Sequence, residues 1–349
     1  MALHIIDEAN RCLNCKKPMC QQGCPVHTPV PQIIQMFKEN RLMEAGERLF
    51  ENNPMSVICS IVCNHEKQCE GHCVLGRKGN PVHFSSIENY ISDMYLDRMQ
   101  LEKAEKKNQR AAVIGAGPAG MTVAVKLAKE GYDVTIFEWK DKIGGIMQYG
   151  IPEFRLPKSI LDRYQIRMRE LDIKIRPNTT IGAVLKIEDL LRDGYDSALR
   201  NGARQVTLYA RRARVAASSH EVAYAKLDGA AFEFGYAIQE INEKGPVFKE
   251  MILDENGEVT GEEEDLVQVE ADSTIISISQ RPRKKLIRTT LGLEGSEKGL
   301  LIVDENYMTT KEGVFAAGDV ITGFQTVVHA VDGAKKAAEA MMHYMEQKK

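Results

Sequence analysis

All eight cysteines of this 349-residue chain lie between Cys12 and Cys73, and the 276 residues after them contain none. Such clustering marks a site rather than a composition. Cys12, Cys15, Cys20 and Cys24 are spaced x2, x4, x3 and run into Pro25; Cys59, Cys63, Cys69 and Cys73 are spaced x3, x5, x3. Disulfides would need an oxidising compartment, and the N-terminus "MALHIIDEAN" has neither the basic start nor the apolar run of a secretory signal. Metal or redox chemistry is the alternative. Structural zinc prefers paired C-x2-C knuckles, which the second group lacks, and inert buried thiols would not cluster. A run closing in Cys-Pro, whose last cysteine serves a second cluster, is an iron–sulfur device, and eight soft donors suit two four-iron clusters. The spacing favours that reading over zinc.

Around this site the chain reads as two or three domains. With 46 basic and 49 acidic side chains the net charge is −3, so charge alone offers no affinity for nucleic acid. No segment reaches the roughly 18 apolar residues of a membrane span. A soluble, cytoplasmic protein is expected. Residues 1–108 read as a small helical domain: in "VPQIIQMFKENRLMEAGERLF", Ile33, Ile34, Phe37 and Leu42 recur at helical spacing. The charged stretch "QLEKAEKKNQR" leads out of it.

From Arg110 the order is strand, glycine loop, helix, strand. "AAVIG" precedes Gly115, Gly117, Pro118, Ala119 and Gly120; a helix follows with Met121, Ala124, Val125 and Ala128 on one face; Gly131 stops it and "YDVTIFE" is the next strand. Glycines there let the backbone approach a pyrophosphate resting on the helix N-terminus. Glu138 stands 18 residues past Gly120, where an acid accepts ribose hydroxyls. Asn256-Gly257 between apolar runs predicts a hairpin, and "GEEED" after it a solvated turn. The chain closes with "GVFAAGDVITGFQTVVHAVDGAKKAAEAMMHYM", read as a buried strand, a Gly-Asp turn and a long helix.

With "CQQGCPV", "NNPMSVICSIVC" and "CEGHCVLG", the N-terminal block resembles the iron–sulfur domain of the glutamate synthase small subunit and the N-terminal half of dihydropyrimidine dehydrogenase, and the resemblance runs through almost the whole chain. It implies an α/β fold: a helical iron–sulfur domain (1–108), a Rossmann-like FAD domain (109–196 and 286–349) and an inserted, truncated NADPH domain (197–285). It implies interleaved ligands, with one 4Fe-4S cluster on Cys12, Cys15, Cys20 and Cys73. The other would take Cys24, Cys63 and Cys69, and a glutamate or glutamine from the following helix, matched here by Glu88; Cys59 is then spare. The segment with Gly144-Gly145 and "YGIPEFRLPK" matches the family's flavin-contacting stretch and nominates Gly145 and Arg155. "GVFAAGDV" matches its second flavin motif, with Gly318 and Asp319. The helix starting near Thr326 would aim its positive end at the flavin ring, where negative charge appears on reduction.

The family's NADPH unit should open with a strand and glycine loop, but here Tyr195-Asp196 is followed at once by "SALRNGARQVTLYARR", the back half of that unit's helix and its second strand. An internal deletion, a splice-like variant and an unrecorded segment each account for the gap. Arg211 and Arg212 stand where a basic pair holds the 2′-phosphate of NADPH, and equally where a solvated charge pair would. The resemblance therefore implies an electron-transfer oxidoreductase linking NADPH, FAD and two clusters to a larger redox subunit or electron carrier. Two rivals stand beside it. One is a wiring or assembly module without NADPH turnover. The other is a disulfide reductase, which would need a cysteine pair beside the flavin where the chain has no cysteine.

Overall fold

The computed structural model of the chain describes residues 2–101, 104–181, 207–213, 231–271, 285–323 and 325–348. The chain divides into two compact units, Met1–Leu199 with Arg281–Lys349, and Arg200–Gln280. The Asp196-Ser197 junction lies outside the described residues.

The first unit begins with helices α1 (Ala2–Asn10), α2 (Met19–Gln22), α3 (Val30–Lys38), α4 (Leu42–Asn52), α5 (Ser56–Val62) and α6 (Phe84–Arg98). The amphipathic stretch from Val30 to Phe50 is two helices, because the chain turns at Asn40 through a left-handed conformation (φ 61°) that asparagine tolerates. Gly46 on α4 lies so close to α6 that a Cβ there would meet the Tyr95 side chain at 2.4 Å. Ile33, Ile34, Leu49, Phe84, Ile87 and Ile91 form the inner core of this helical part.

Next come β1 (Arg110–Ile114), α7 (Pro118–Lys129), β2 (Asp133–Phe137), α8 (Ile146–Tyr149), α9 (Ser159–Glu170) and β3 (Lys174–Arg176). The strands form a parallel sheet in the order β1-β2-β3, with Val113 opposite Ile136. On its other edge β1 has no strand partner among the described residues. The expected buried strand at Val314–Ala317 is reduced to one bridge, Phe315 to Met308, so a neighbour for β1 is not supplied there. The closing helix, Val327–Gln347, buries Val327, Val328, Val331 and Ala334. A second core runs across residue 108 without interruption: Val57, Ile58, Cys59, Tyr95 and Leu96 cluster with Val113, Met121, Leu127, Ile136, Tyr164 and Val331. The change in composition at Asn108 is thus no break in packing.

The second unit holds β4 (Thr207–Ala210) paired in parallel with β5 (Ala231–Phe234), and an antiparallel meander of β6 (Tyr236–Asn242), β7 (Gly245–Leu253) and β8 (Val259–Gln268). Tyr209 stacks on Phe248 with ring centroids 4.3 Å apart. The turn at Asn256-Gly257 forms, with Gly257 at φ 77°. The expected turn at "GEEED" does not: Gly261–Asp265 lies inside β8. As an edge strand, β8 can keep its acids in water, and Glu262 is further neutralised by Lys249 across the pair at 2.6 Å.

Two arginines of α9 close the end of α6. Arg163 donates to the Asp93 carboxylate (2.6 Å) and carbonyl (2.8 Å), and Arg167 to the Leu96 (2.8 Å) and Asp97 (2.6 Å) carbonyls. The last carbonyls of a helix have no partner within it, so a cation there serves both hydrogen bonding and the helix dipole. Arg167→Ala should lower unfolding free energy by about 1–3 kcal/mol, with Arg167→Lys intermediate. Denaturant midpoints at equal cofactor content check this; a loss under about 0.5 kcal/mol would match an ordinary surface change and refute the clamp.

Candidate cofactor sites

Cys12 sits just beyond α1, with its amide on the Ala9 carbonyl (3.2 Å). Asn14, at φ 46°, turns the chain so that Cys15 comes back beside it. Cys20 lies in α2, and Cys73 immediately precedes a 3-10 turn, Val74–Arg77. The four side chains line one pocket whose other walls include Leu13, Met19, Ile34 and Phe84. Burial, then neighbouring thiols, pushes the Cys20 thiol up to about 11, and burial raises that of Cys12. Apolar walls disfavour thiolate unless a cation accompanies it.

A second group gathers around Glu88, on the first turns of α6. Cys63 caps the end of α5, Cys69 follows the 3-10 turn His65–Lys67, and Cys24 lies before α3. The charge of Glu88 acts on all three thiols. Glu88 is 5% exposed and accepts no hydrogen bond among the described residues. Burial, then Cys59 and Glu70, holds its carboxyl well above the usual carboxylate range. The Cys24 thiol donates to Thr28 Oγ1 (3.4 Å), and Cys69 Sγ lies 3.6 Å from His65 Nδ1. Cys69 also lines the first pocket, so the two groups adjoin. Cys59 bonds to Cys63 one helical turn away, and that hydrogen bond, then burial, pushes the Cys63 thiol up. Among the described residues no three histidine, cysteine or acidic side chains converge on a single-ion position.

Residues fitted to an inorganic body should be soft donors gathered among apolar walls, and the first group fits, with four thiols on one apolar pocket. Sequence reasoning missed one neighbour, Tyr164 on α9. It is 1% exposed, and Cys59 and Glu88 act on it electrostatically. Tyr164 comes from beyond the cysteine-rich segment, and nothing in its local sequence signals this position.

The glycine loop joins β1 to α7. Gly115 takes φ 94°, and a Cβ on Gly120 would meet the Gly115 carbonyl oxygen at 1.9 Å, so the loop closes only on glycine. Pro118 opens α7, where its missing N–H costs nothing. Glu138 is buried, and its carboxylate accepts the Ala116 (2.6 Å) and Lys140 (2.9 Å) amides. Burial raises its pKa while those amides oppose the shift. Gly145, at φ 52°, backs onto Gly117, where a Cβ would come within 2.9 Å of the Gly117 Cα. Gly318, at φ 76°, would bring a Cβ to 3.1 Å from that of Ala119, which sets Asp319 beside the start of α7. The Asp319 carboxylate accepts the Gln325 amide (3.3 Å), and burial raises its pKa. Thr326 caps the closing helix, its hydroxyl 2.6 Å from His329 Nδ1.

Arg155 reaches across to the Val62 carbonyl (3.3 Å), next to Cys63. The stretch nominated for flavin contact therefore touches the second thiol group. Arg211 and Arg212 belong to the other unit. Arg212 pairs with Glu258 at 3.2 Å, and Arg211 lies near Glu262.

Comparison with known proteins fits these pieces. Residues 2–100 match the family described as dihydropyrimidine dehydrogenase domain II, 4Fe-4S cluster. Residues 113–159 match an NAD(P)-binding Rossmann-like domain and 194–334 a pyridine nucleotide-disulphide oxidoreductase. The chain is thus an oxidoreductase with an iron–sulfur domain joined to a Rossmann-like flavin and nicotinamide-binding fold. It is 27% identical to the glutamate synthase [NADPH] small chain of Escherichia coli K12, over 97% of this chain and 91% of that one. It is 29% identical to the NAD-dependent dihydropyrimidine dehydrogenase subunit PreT of Escherichia coli O157:H7, over 98% and 94%. Over nearly its whole length the chain is similar to these small chains and PreT subunits. A thioredoxin reductase of T. acidophilum is similar in structure, with 18% identity, TM-score 0.48, and coverage of 68% of this chain and 98% of that one.

The alignment lengths carry a further fact. The 432 aligned positions with the small chain hold about 339 residues of this chain (97% of 349), and the 403 with PreT about 342 (98% of 349). About 93 and 61 positions of the alignments therefore have no counterpart here. Both ends align, so the difference is internal. Residues 194–334 contain no cysteine, so the disulphide chemistry in that family's description has no thiol there.

Gly120→Ala would force the loop open and should reduce flavin in the purified protein by about tenfold or more, with iron unchanged. Gly79→Ala, where a Cβ would meet nothing within 4 Å, should change neither. Flavin retained in Gly120→Ala would separate this loop from the flavin site.

Proposed function

We propose that this chain passes electrons between a nicotinamide dinucleotide, FAD and two 4Fe-4S clusters, to or from a larger redox subunit or carrier protein. The observation that carries the reading is the convergence, within one compact unit, of two thiol groups and a glycine loop, with Arg155 joining the loop side to the Cys63 segment. Cys12, Cys15, Cys20 and Cys73 would hold one cluster; Cys24, Cys63, Cys69 and Glu88 the other. Gly115, Gly117, Pro118, Ala119, Gly120, Glu138, Gly145, Arg155, Gly318, Asp319 and Thr326 would hold FAD. Flavin supplies the conversion between two-electron and one-electron chemistry. The protein's own part is to bind and orient: thiolates neutralise iron, backbone amides receive phosphate, and apolar walls exclude water. No side chain need act as acid or base.

The relatives' names divide between NADPH and NAD-dependent. For this chain Arg211 and Arg212 favour NADPH, although the Glu258 pairing of Arg212 weakens that argument. A second reading is a wiring or assembly module without NADPH turnover. The 61 to 93 unmatched positions and the missing glycine loop at Asp196-Ser197 favour it, since arginine contacts to one phosphate do not position a hydride donor.

Anaerobic purification should give about eight iron atoms and up to one flavin per chain. Dithionite should reduce the protein, while NADPH should do so about tenfold or more slowly than in a full-length relative. NADPH reduction at the relative's rate, abolished by Arg211→Ala, would establish a complete nucleotide site and refute the second reading.

Substitutions test the ligand sets. Cys20→Ala and Cys73→Ala should remove the same cluster, and Cys59→Ala should leave iron content unchanged. Glu88→Ala should alter only the other cluster's paramagnetic spectrum, while Glu88→Gln preserves it through its amide oxygen. Loss of half the iron in Cys59→Ala would overturn the assignment.

A further inference from the structure

The first thiol group lies at a charged surface. Between Cys12 and Cys20 the chain reads "LNCKKPM", and from Cys73 to Val82 "CVLGRKGNPV"; neither stretch contains an acid. Lys16, Lys17, Arg77 and Lys78 are all exposed, and so is Lys38, whose charge acts on Cys12. None of these five cations forms an ion pair among the described residues. Glu8, the acid preceding Cys12 in sequence, is occupied by Arg11 at 2.6 Å and by the His83 amide at 2.7 Å. In a chain of net charge −3 this is a local concentration of positive charge. Leu13, 62% exposed, lines the pocket formed by the four cysteines.

Arg155 touches the Cys63 segment, Cys69 lines the first pocket as well, and the cysteines of that pocket are followed in the chain by exposed cations, Lys16 and Lys17 after Cys15 and Arg77 and Lys78 after Cys73. The first group is therefore the one flanked by exposed cations that are unpaired among the described residues.

We propose that the face formed by Leu13, Lys16, Lys17, Lys38, Arg77 and Lys78 is the docking surface for the redox partner, and that the partner presents an acidic patch around its own redox centre. The proposal rests on the cluster assignment above. Opposite charges steer the encounter and fix register, while Leu13 provides the dry contact at the centre. The transfer is one electron from the carrier's centre to the cluster on Cys12, Cys15, Cys20 and Cys73, or back; no bond or proton moves.

The test uses the reconstituted full chain and an acidic bacterial ferredoxin, photoreduced, with cluster bleaching followed by stopped flow. Raising ionic strength from about 0.01 to 0.1 M shortens the Debye length from about 30 to about 10 Å and should lower the second-order rate about tenfold or more. Lys16→Glu with Lys17→Glu, and Arg77→Glu with Lys78→Glu, should each cause a comparable loss at low salt and flatten the salt dependence. Lys298→Glu, an exposed lysine outside this face, should not. Iron content and dithionite bleaching are measured for every variant; if a reversal costs iron, the glutamine versions are read instead. A preparation that takes up no iron would defeat the cluster assignment itself. Intact clusters with rates indifferent to salt and to reversal would overturn the docking proposal alone. So would faster reaction with a basic c-type cytochrome at low salt, or binding to phosphatidylserine vesicles in place of a salt-dependent carrier rate, which would reassign the face to lipid headgroups.

Discussion

A carboxyl group buried without a hydrogen-bond donor must either stay protonated or meet a cation, and Glu88 stands in that condition with its charge acting on three cysteines. Much of the architecture fixes this one side chain. α6 carries Glu88 near its start and Tyr95 and Leu96 near its end, where the packing passes into the core shared with β1, α7 and α9. Arg163 and Arg167 hold the far end by its carbonyls. Glu88, Cys24, Cys63 and Cys69 are therefore positioned by elements from both sides of residue 108. Buried polar groups left unpaired cost folding free energy, so their concentration at one place is a mark of function rather than of packing.

The dinucleotide loop is anchored differently, by hydrogen bonds at Gly115 and Ala116. Glu138 accepts the Ala116 amide, and Gly144 donates to the Ala116 carbonyl at 2.7 Å. Gly145 and Gly318 press on the loop from two sides at distances that leave no room for a side chain. The loop is thus shaped by contacts with its neighbours, and the second glycine pair serves packing as well as backbone approach. The contact of the "YGIPEFRLPK" stretch with the iron–sulfur side, Arg155 to the Val62 carbonyl, joins segments that share one core.

What the chain lacks is as physical as what it has. The relatives align at both ends yet carry 61 to 93 more positions between them. In the sheet, β1 stands at an edge among the described residues, and the Val314–Ala317 segment makes one bridge where a strand was expected. A parallel sheet is normally covered on both faces and continued on either side of its first strand. The edge of β1 matters because β1 aims the glycine loop.

The sequence by itself determined the chemistry. Cysteine spacing, the glycine loop after a strand, and Glu138 at the end of the next strand are local signals, because a ligand's residue type and a glycine's conformational freedom are properties of single positions. The hairpin at Asn256-Gly257 was legible for the same reason, whereas "GEEED" misled because an edge strand tolerates charges that a buried one excludes. Only the tertiary structure decided which thiols gather with which. It also decided that Tyr164, far along the chain, stands beside Cys59 and Glu88, and that the flavin-side helices share one core with the cysteine-rich ones. Those are relations between distant segments, set by which apolar faces cover each other. No spacing along the chain encodes them.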